Sequence, residues 1–225
     1  KAQEYRGYDS AGIAVLENDE IRLIRTQGKI SALEDKVGGE IGQGTIGIGH
    51  TRWATHGRPS DTNSHPHMDC KHEIAVVHNG IIENYLSLKE ELIAKGVEFT
   101  SDTDTEVVAH LMADMFDGDM ESTVKKVLKV IKGSYSLVFM CEAEQDKIIC
   151  TKKDNPLVIG LGEGENFIAS DIPAIINHTR RTFIMSDGEI ATVTKDGVWV
   201  QDIEGTPINK KVFEVNWDAE AAEKG

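Results

Sequence analysis

The 225-residue chain carries 24 Lys+Arg against 38 Asp+Glu, a formal net charge of −14, with 40% hydrophobic and 28% charged residues. That length suits one large domain or two small ones and is enough for a sizeable core, so a folded chain is expected. The acidic surplus, with no basic tract denser than Lys125-Lys126 or Lys210-Lys211, argues against nucleic acid or an anionic membrane surface as partner. Cys70, Cys141 and Cys150 make no disulfide framework and point to a reducing compartment, by default the cytoplasm; no apolar run approaches the roughly 18 residues of a membrane span.

Alternating and β-branched runs predict strands at 11–16 and 21–26, a hairpin about Asn18-Asp19, and then at 45–50, 73–78, 135–141, 147–151 and 157–161. Shorter strands are expected at 167–170, 182–185, 189–194 and 198–203. Ile81, Tyr85, Leu88 and Leu92 fall on one helical face with Gly96 as the stop. Val107/Val108, Leu111/Met112 and Met115/Phe116 predict a second helix, and Val124, Val127/Leu128 and Ile131 a third ending at Gly133. Runs of strands broken by helices in the middle exclude a doubly wound sheet and predict an α+β domain of stacked antiparallel sheets with helices outside. Cys141 and Cys150 lie in apolar strands and are expected to be buried, Cys70 exposed. Residues 1–217 form the domain, and the low-complexity 218–225 reads as a linker or fraying helix.

Five stretches carry chemistry. Residues 4–12 pack Arg6, two phenols and Asp9 into a Gly-broken loop before a strand, either a functional loop or a strand entry with Arg6 paired to Asp9. At 50–57 an apolar strand runs out into Arg52, Trp53, Thr55 and two histidines. An Arg there offers a planar fork for a carboxylate, to which Thr55 adds a hydroxyl; the competing reading stacks Arg52 on Trp53. The polar loop 63–72 holds Cys70 and three histidines, but its spacing lacks paired metal ligands, so ordering against a substrate or another domain is the expectation. At 76–84 a strand meets a helix through Asn79-Gly80, where the Asn79 amide and the Gly80 N–H converge as oxyanion donors, aided by the helix N-terminus, unless Asn79 merely caps that helix. In 101–106, Thr103 and Glu106 fit a capping box, which leaves Asp102 or Asp104 to hold an ammonium. A carboxylate site, an ammonium site and an oxyanion hole together describe an α-amino acid with a reacting side-chain carbonyl, glutamine or asparagine.

The ordered series Tyr5–Gly12, His50–Gly57, His65-Pro66-His67, His78–Asn84, Thr103–Glu106, Pro156–Gly160 and Glu165–Asp171 spans nearly the whole chain. It closely resembles the glutaminase domains of glucosamine-6-phosphate synthases, which are N-terminal-nucleophile amidotransferases. The phosphoribosylpyrophosphate amidotransferases share the Arg-Gly-x-Asp-Ser-Ala-Gly and His-Asn-Gly patterns, whereas Trp53–His56 and Ile81–Asn84 favour the glucosamine type. The resemblance implies a four-layer αββα sandwich of two stacked antiparallel sheets. It implies that Arg52, with Thr55 and His56, binds the glutamine carboxylate and that Asp104 binds the α-ammonium. Asn79 and Gly80 then form the oxyanion hole, Arg6 supports the nucleophile, and Trp53 gates the path of ammonia. It implies no metal or organic cofactor, L-glutamine as substrate, and sugar-phosphate isomerase domains after residue 225 that bind fructose 6-phosphate and hold a homo-oligomer together. Family members open with Cys-Gly-Ile-Val-Gly, whose cysteine is the nucleophile and whose α-amine is the base; this sequence starts at Lys1, beyond that segment, and none of its three thiols has an α-amine beside it. The expectation is a glutaminase domain whose nucleophile lies on a preceding segment, with a non-catalytic glutamine-binding module as the alternative.

Overall fold

The computed structural model describes residues 7–38, 44–54 and 57–216. In chain order the elements are β1 (Ser10–Glu17), β2 (Glu20–Gln27), α1 (Ile30–Val37), β3 (Ile46–Arg52), β4 (His67–Met68), β5 (Ile74–Ile82), α2 (Tyr85–Ala94), α3 (Asp104–Met115) and α4 (Met120–Val130). There follow β6 (Gly133–Cys141), β7 (Lys147–Lys153), β8 (Val158–Leu161), β9 (Asn166–Ala169), a 3-10 turn at Ile172–Ala174, β10 (Arg181–Ile184), β11 (Ile190–Thr194), β12 (Val198–Gln201) and β13 (Phe213–Glu214).

The hairpin about Asn18-Asp19 forms as expected. Both residues take positive φ, 51° and 66°, the backbone whose twist matches the flanking strands, and Glu17 pairs with Glu20. β3 adds on the far side of β1, so the first sheet runs β2-β1-β3 and sets Arg52 opposite Ser10. A six-stranded sheet runs β12-β11-β7-β6-β5-β4 and a third β13-β10-β8-β9; every strand pair is antiparallel.

The two-residue period of β5 builds the layers. Ile74 and Val76 point to one face of the six-stranded sheet, into a core with Val107, Leu111 and Met112 of α3 and Val124 and Leu128 of α4. Ala75 and Val77 point to the other face, where Val138, Met140 and Cys150 meet Ala14 and Ile48 of the first sheet and Ile159 and Phe183 of the third. On the first sheet's outer side, Leu33 and Val37 of α1 cover Ala11. The order is helices, large sheet, two smaller sheets, helix: an α+β four-layer sandwich, as the family resemblance implies.

Three expectations change. The helix predicted from Ile81 starts at Tyr85, because Ile81 and Ile82 continue β5 with strand alternation, Ile81 42% exposed and Ile82 0%. The eight-residue α1 and the two-residue β4 and β13 have no counterpart among the predicted elements. Loop 63–72 does not face outward: residues 63–69 are buried within this chain, against α3. Cys141 and Cys150 are buried and Cys70 exposed, as expected. No helix of the described residues is long and apolar enough to cross a membrane.

Candidate active site

Asn79 and Gly80 lie inside β5, opposite Ser136 and Tyr135 of β6, rather than at a strand-to-helix junction. This removes the helix from both readings of Asn79: it caps no helix, and no helix N-terminus aids it as an oxyanion donor, the N-cap of α2 being Asn84. Gly80 is required by the backbone. Its φ is 124°, and a Cβ there would fall 2.1 Å from the Ser134 carbonyl oxygen. Nε2 of His50 lies 2.7 Å from Oδ1 of Asn79. Burial pushes His50 down to about 4, so at neutral pH the uncharged ring donates Nε2–H to that oxygen and turns the amide NH2 the other way.

A cavity of about 320 Å³ joins these residues to Arg52, Trp53 and Asp104. Arg52 ends β3 and is 4% exposed, with its Nη2 3.4 Å from the Gly57 carbonyl. Burial lowers its pKa, and the carboxylates of Asp9 and Asp104 act against that, which keeps a cation in the wall. The strand end is tied down by Asp9, which donates its N–H to the Arg52 carbonyl at 2.8 Å and accepts the Ala54 N–H on Oδ2 at 2.6 Å. Trp53, which lines the same cavity, is 69% exposed, and its ring lies close to Gly7.

Asp104 is the first residue of α3 and 4% exposed, and its Oδ2 accepts the Ile82 N–H at 2.8 Å. The structure thus separates the two acids that sequence left open. Asp102 is exposed and outside the cavity, bonded to Asn63. The capping box is only half made: Thr103 Oγ1 accepts the Glu106 N–H at 3.4 Å, but Glu106 turns its carboxylate to the N–H groups of Thr100 and Ser101.

Beneath the cavity lies a floor of imidazoles to which the sequence reading assigned no role. Thr105 Oγ1 lies 2.9 Å from both His65 Nε2 and His78 Nδ1. A hydroxyl has one proton and two lone pairs, so at most one of the two imidazoles accepts from it and at least one donates to it. His50 stacks on His65 with centroids 4.4 Å apart, and His67 bonds Thr103 Oγ1 at 3.0 Å. Burial pushes His65 well below the ordinary imidazole range and His67 down to about 3. Asn155 and Ser170 also line the cavity without having been singled out for a role. Arg6, Thr55 and His56 lie outside the described residues.

Comparison with known proteins agrees with this arrangement. Residues 50–177 match the model of the glutamine amidotransferase domain family. Glutamine–fructose-6-phosphate aminotransferases (isomerizing) align over 222 residues, 99% of this chain: 55% identical in Caldanaerobacter subterraneus subsp. tengcongensis and 51% in Aquifex aeolicus. The chain spans only 36% and 38% of the length of those two relatives. Among solved structures, the glutamine phosphoribosylpyrophosphate amidotransferase from B. subtilis superposes with a TM-score of 0.75 at 27% identity, covering 90% of this chain and 44% of that one. A glutamine aminotransferase class-II domain protein from silicibacter pomeroyi, 14% identical with a TM-score of 0.60, shares the fold. With a family model over more than half its length and a matching fold, the chain belongs to the glutamine amidotransferase domain family.

Proposed function

We propose that this domain hydrolyses L-glutamine to glutamate and ammonia, with the nucleophile a cysteine on a segment preceding Lys1, and that the ammonia passes to sugar-phosphate isomerase domains of the same parent chain for conversion of fructose 6-phosphate to glucosamine 6-phosphate. The observation that carries it is the single cavity that brings a buried Arg52, a buried Asp104 and Asn79-Gly80 together. Arg52 grips the α-carboxylate by its fork and Asp104 takes the α-ammonium, which points the side-chain amide at β5. Thiolate attack on the amide carbon places negative charge on its oxygen, and the Asn79 amide and Gly80 N–H stabilise it. Collapse expels ammonia and leaves a thioester, which water then hydrolyses. Thr55, His56 and Arg6 keep the roles that the family resemblance implies, carboxylate binding and support of the nucleophile, and Trp53, at the mouth, gates the exit of ammonia.

A second cavity of about 510 Å³ supports delivery of the thiol. It shares His50, His78 and Asn79 with the first and is walled by β3 and β9, each paired on one side only among the described residues. Its sides include Val77, Val138 and Ile168, which suits an extended apolar segment such as Gly-Ile-Val-Gly. The experiment compares glutamine turnover by the 225-residue chain with turnover by the chain extended at its N-terminus through Cys-Gly-Ile-Val-Gly. Activity only in the extended form supports the proposal. Glutamine binding without turnover in both would leave the non-catalytic module as the better reading.

A further inference from the structure

On the helix-covered side of the large sheet, remote from the glutamine cavity in its lining, Cys70, His110 and Glu106 fall in line. The Cys70 sulfur is 3.5 Å from the Glu98 carbonyl oxygen and 3.8 Å from His110 Nδ1, the base within its reach, and His110 Nε2 is 3.4 Å from Glu106 Oε1. Glu106 and His110 are one turn apart on α3 and are 2% and 4% exposed. The carboxylate is fixed further by Thr100 on the same Oε1 and by Ser101 on Oε2, each donating a backbone N–H and a hydroxyl at 2.6–2.9 Å. Phe99 meets the imidazole edge-on, with centroids 4.6 Å apart.

This order has a chemical direction. A carboxylate at Nε2 selects the tautomer with its proton on Nε2, and Nδ1, facing the sulfur, is left as the acceptor. The thiol is on a rigid turn, because Asp69 accepts the N–H groups of Lys71, Glu73 and Ile74 at 2.8–2.9 Å, and Cys70 itself is exposed. Cys70 and His110 line a cavity of about 510 Å³, with the orienting Glu106 carboxylate behind the imidazole. The other thiol lining that cavity, Cys141, differs: it is buried, and burial pushes its pKa up.

We propose that Cys70 is a modification site, a thiol activated by His110 with Glu106 as positioning residue, which exchanges with small disulfides of neutral or cationic character. The sulfur attacks one sulfur of the disulfide; the new S–S bond forms as the old one breaks. The thiol proton moves to His110 Nδ1 and from there to the departing thiolate, so no external oxidant beyond the disulfide itself is consumed. Cationic reagents are favoured because Asp69, Glu73, Asp114 and Glu142 line the cavity against Lys71, on a chain of net charge −14.

The test treats the folded chain with cystamine, maps the adduct by peptide mass, and measures its rate against a synthetic peptide of residues 66–75 at the same pH. Reaction at Cys70 should be about tenfold or more faster in the folded chain than in the peptide, and His110→Gln should bring it down to the peptide rate. A dianionic aromatic disulfide should show a smaller ratio of folded-chain to peptide rate than cystamine does. A folded-chain rate no greater than the peptide's, a rate indifferent to His110→Gln in a variant that keeps its circular dichroism, or an adduct mapping to Cys141 overturns the assignment. If His110→Gln does not fold, the comparison of chain with peptide decides alone.

Discussion

Acid should loosen this domain through the imidazoles under its cavity. His67 is 1% exposed, and burial, reinforced by the charges of Arg25 and Arg52 and opposed by that of Glu106, pushes it from an ordinary 6.5 down to about 3. In the unfolded chain the ring protonates as pH falls below 6.5; in the folded chain it stays neutral far longer. The unfolded state therefore binds more protons across this window, and stability present above pH 6.5 drains away below it. From pH 7 to pH 5 the loss from His67 alone is about 2 kcal/mol, the slope approaching about 1.36 kcal/mol per unit only well below 6.5. His65, 5% exposed and also held well below the ordinary range, and His50, pushed down to about 4, add in the same direction. The titration of Glu106 itself falls below this window. Burial would raise its carboxyl, but bonds from His110, Ser101 and Thr100 hold it well below 4.5, so its contribution persists until the pH drops below that value. With a urea slope of about 2 kcal/mol/M, the unfolding midpoint should fall by about 1 M or more between pH 7 and pH 5. His67→Gln, whose amide can still bond Thr103, should be less stable at pH 7 yet lose less on acidification. An unchanged midpoint between the two pH values, or an undiminished pH slope in His67→Gln, would refute the reasoning.

In the chain extended to carry the N-terminal cysteine, Arg52→Lys should raise KM for glutamine more than it lowers kcat, since losing a forked, charge-assisted bond costs about 1.5–3 kcal/mol; an unchanged KM in steady-state kinetics would remove Arg52 from the carboxylate site. Asn79→Ala in the same protein should cut kcat by about a hundredfold with little change in KM, the usual cost of one oxyanion donor, read by ammonia release. Gly80→Ala should destabilise the chain by several kcal/mol in thermal or urea melts, because the new Cβ would collide with the Ser134 carbonyl and the Asn155 amide at an unfavourable φ.

Local pattern made much of this structure legible. The alternation of β1 and β2, the Asn-Asp turn between them, and the three- and four-residue spacing in α3 and α4 each answer to a period contained in a short window. Asn79-Gly80 misled because Asn-Gly signals a turn, and because Ile81 with Tyr85, Leu88 and Leu92 happens to fit a helical face. What carries β5 through Gly80 is its pairing with β6, more than fifty residues on, which no local period records. The same holds for the site. Arg52, Asn79, Gly80 and Asp104 were visible as residue types with an obvious chemistry, whereas the imidazole floor was not. His65 and His78 owe their roles to Thr105, forty and twenty-seven residues away, and the rings of a histidine-rich polar loop are satisfied in the interior by hydroxyls at the start of α3.

The first turn of α3 concentrates these long-range ties. Thr103 meets His67, Asp104 holds the Ile82 N–H, Thr105 serves His65 and His78, and Glu106 anchors residues 100 and 101. Asp104 therefore does two jobs that substitutions can separate: it brings charge to the cavity and it pins the end of β5 just beyond Gly80. Asp104→Asn keeps a carbonyl oxygen for the Ile82 N–H and removes only the charge. It should raise KM for glutamine with a small change in melting temperature, while Asp102→Asn, exposed and outside the cavity, should leave both unaltered. Asp104→Ala removes the acceptor as well, leaving a buried N–H without a partner at a cost of about 1–3 kcal/mol. Because that N–H is two residues from Gly80, kcat should fall along with affinity. Equal KM effects from Asp102→Asn and Asp104→Asn would instead mean that the helix end attracts the ammonium by its general field, and that no specific contact to Asp104 exists.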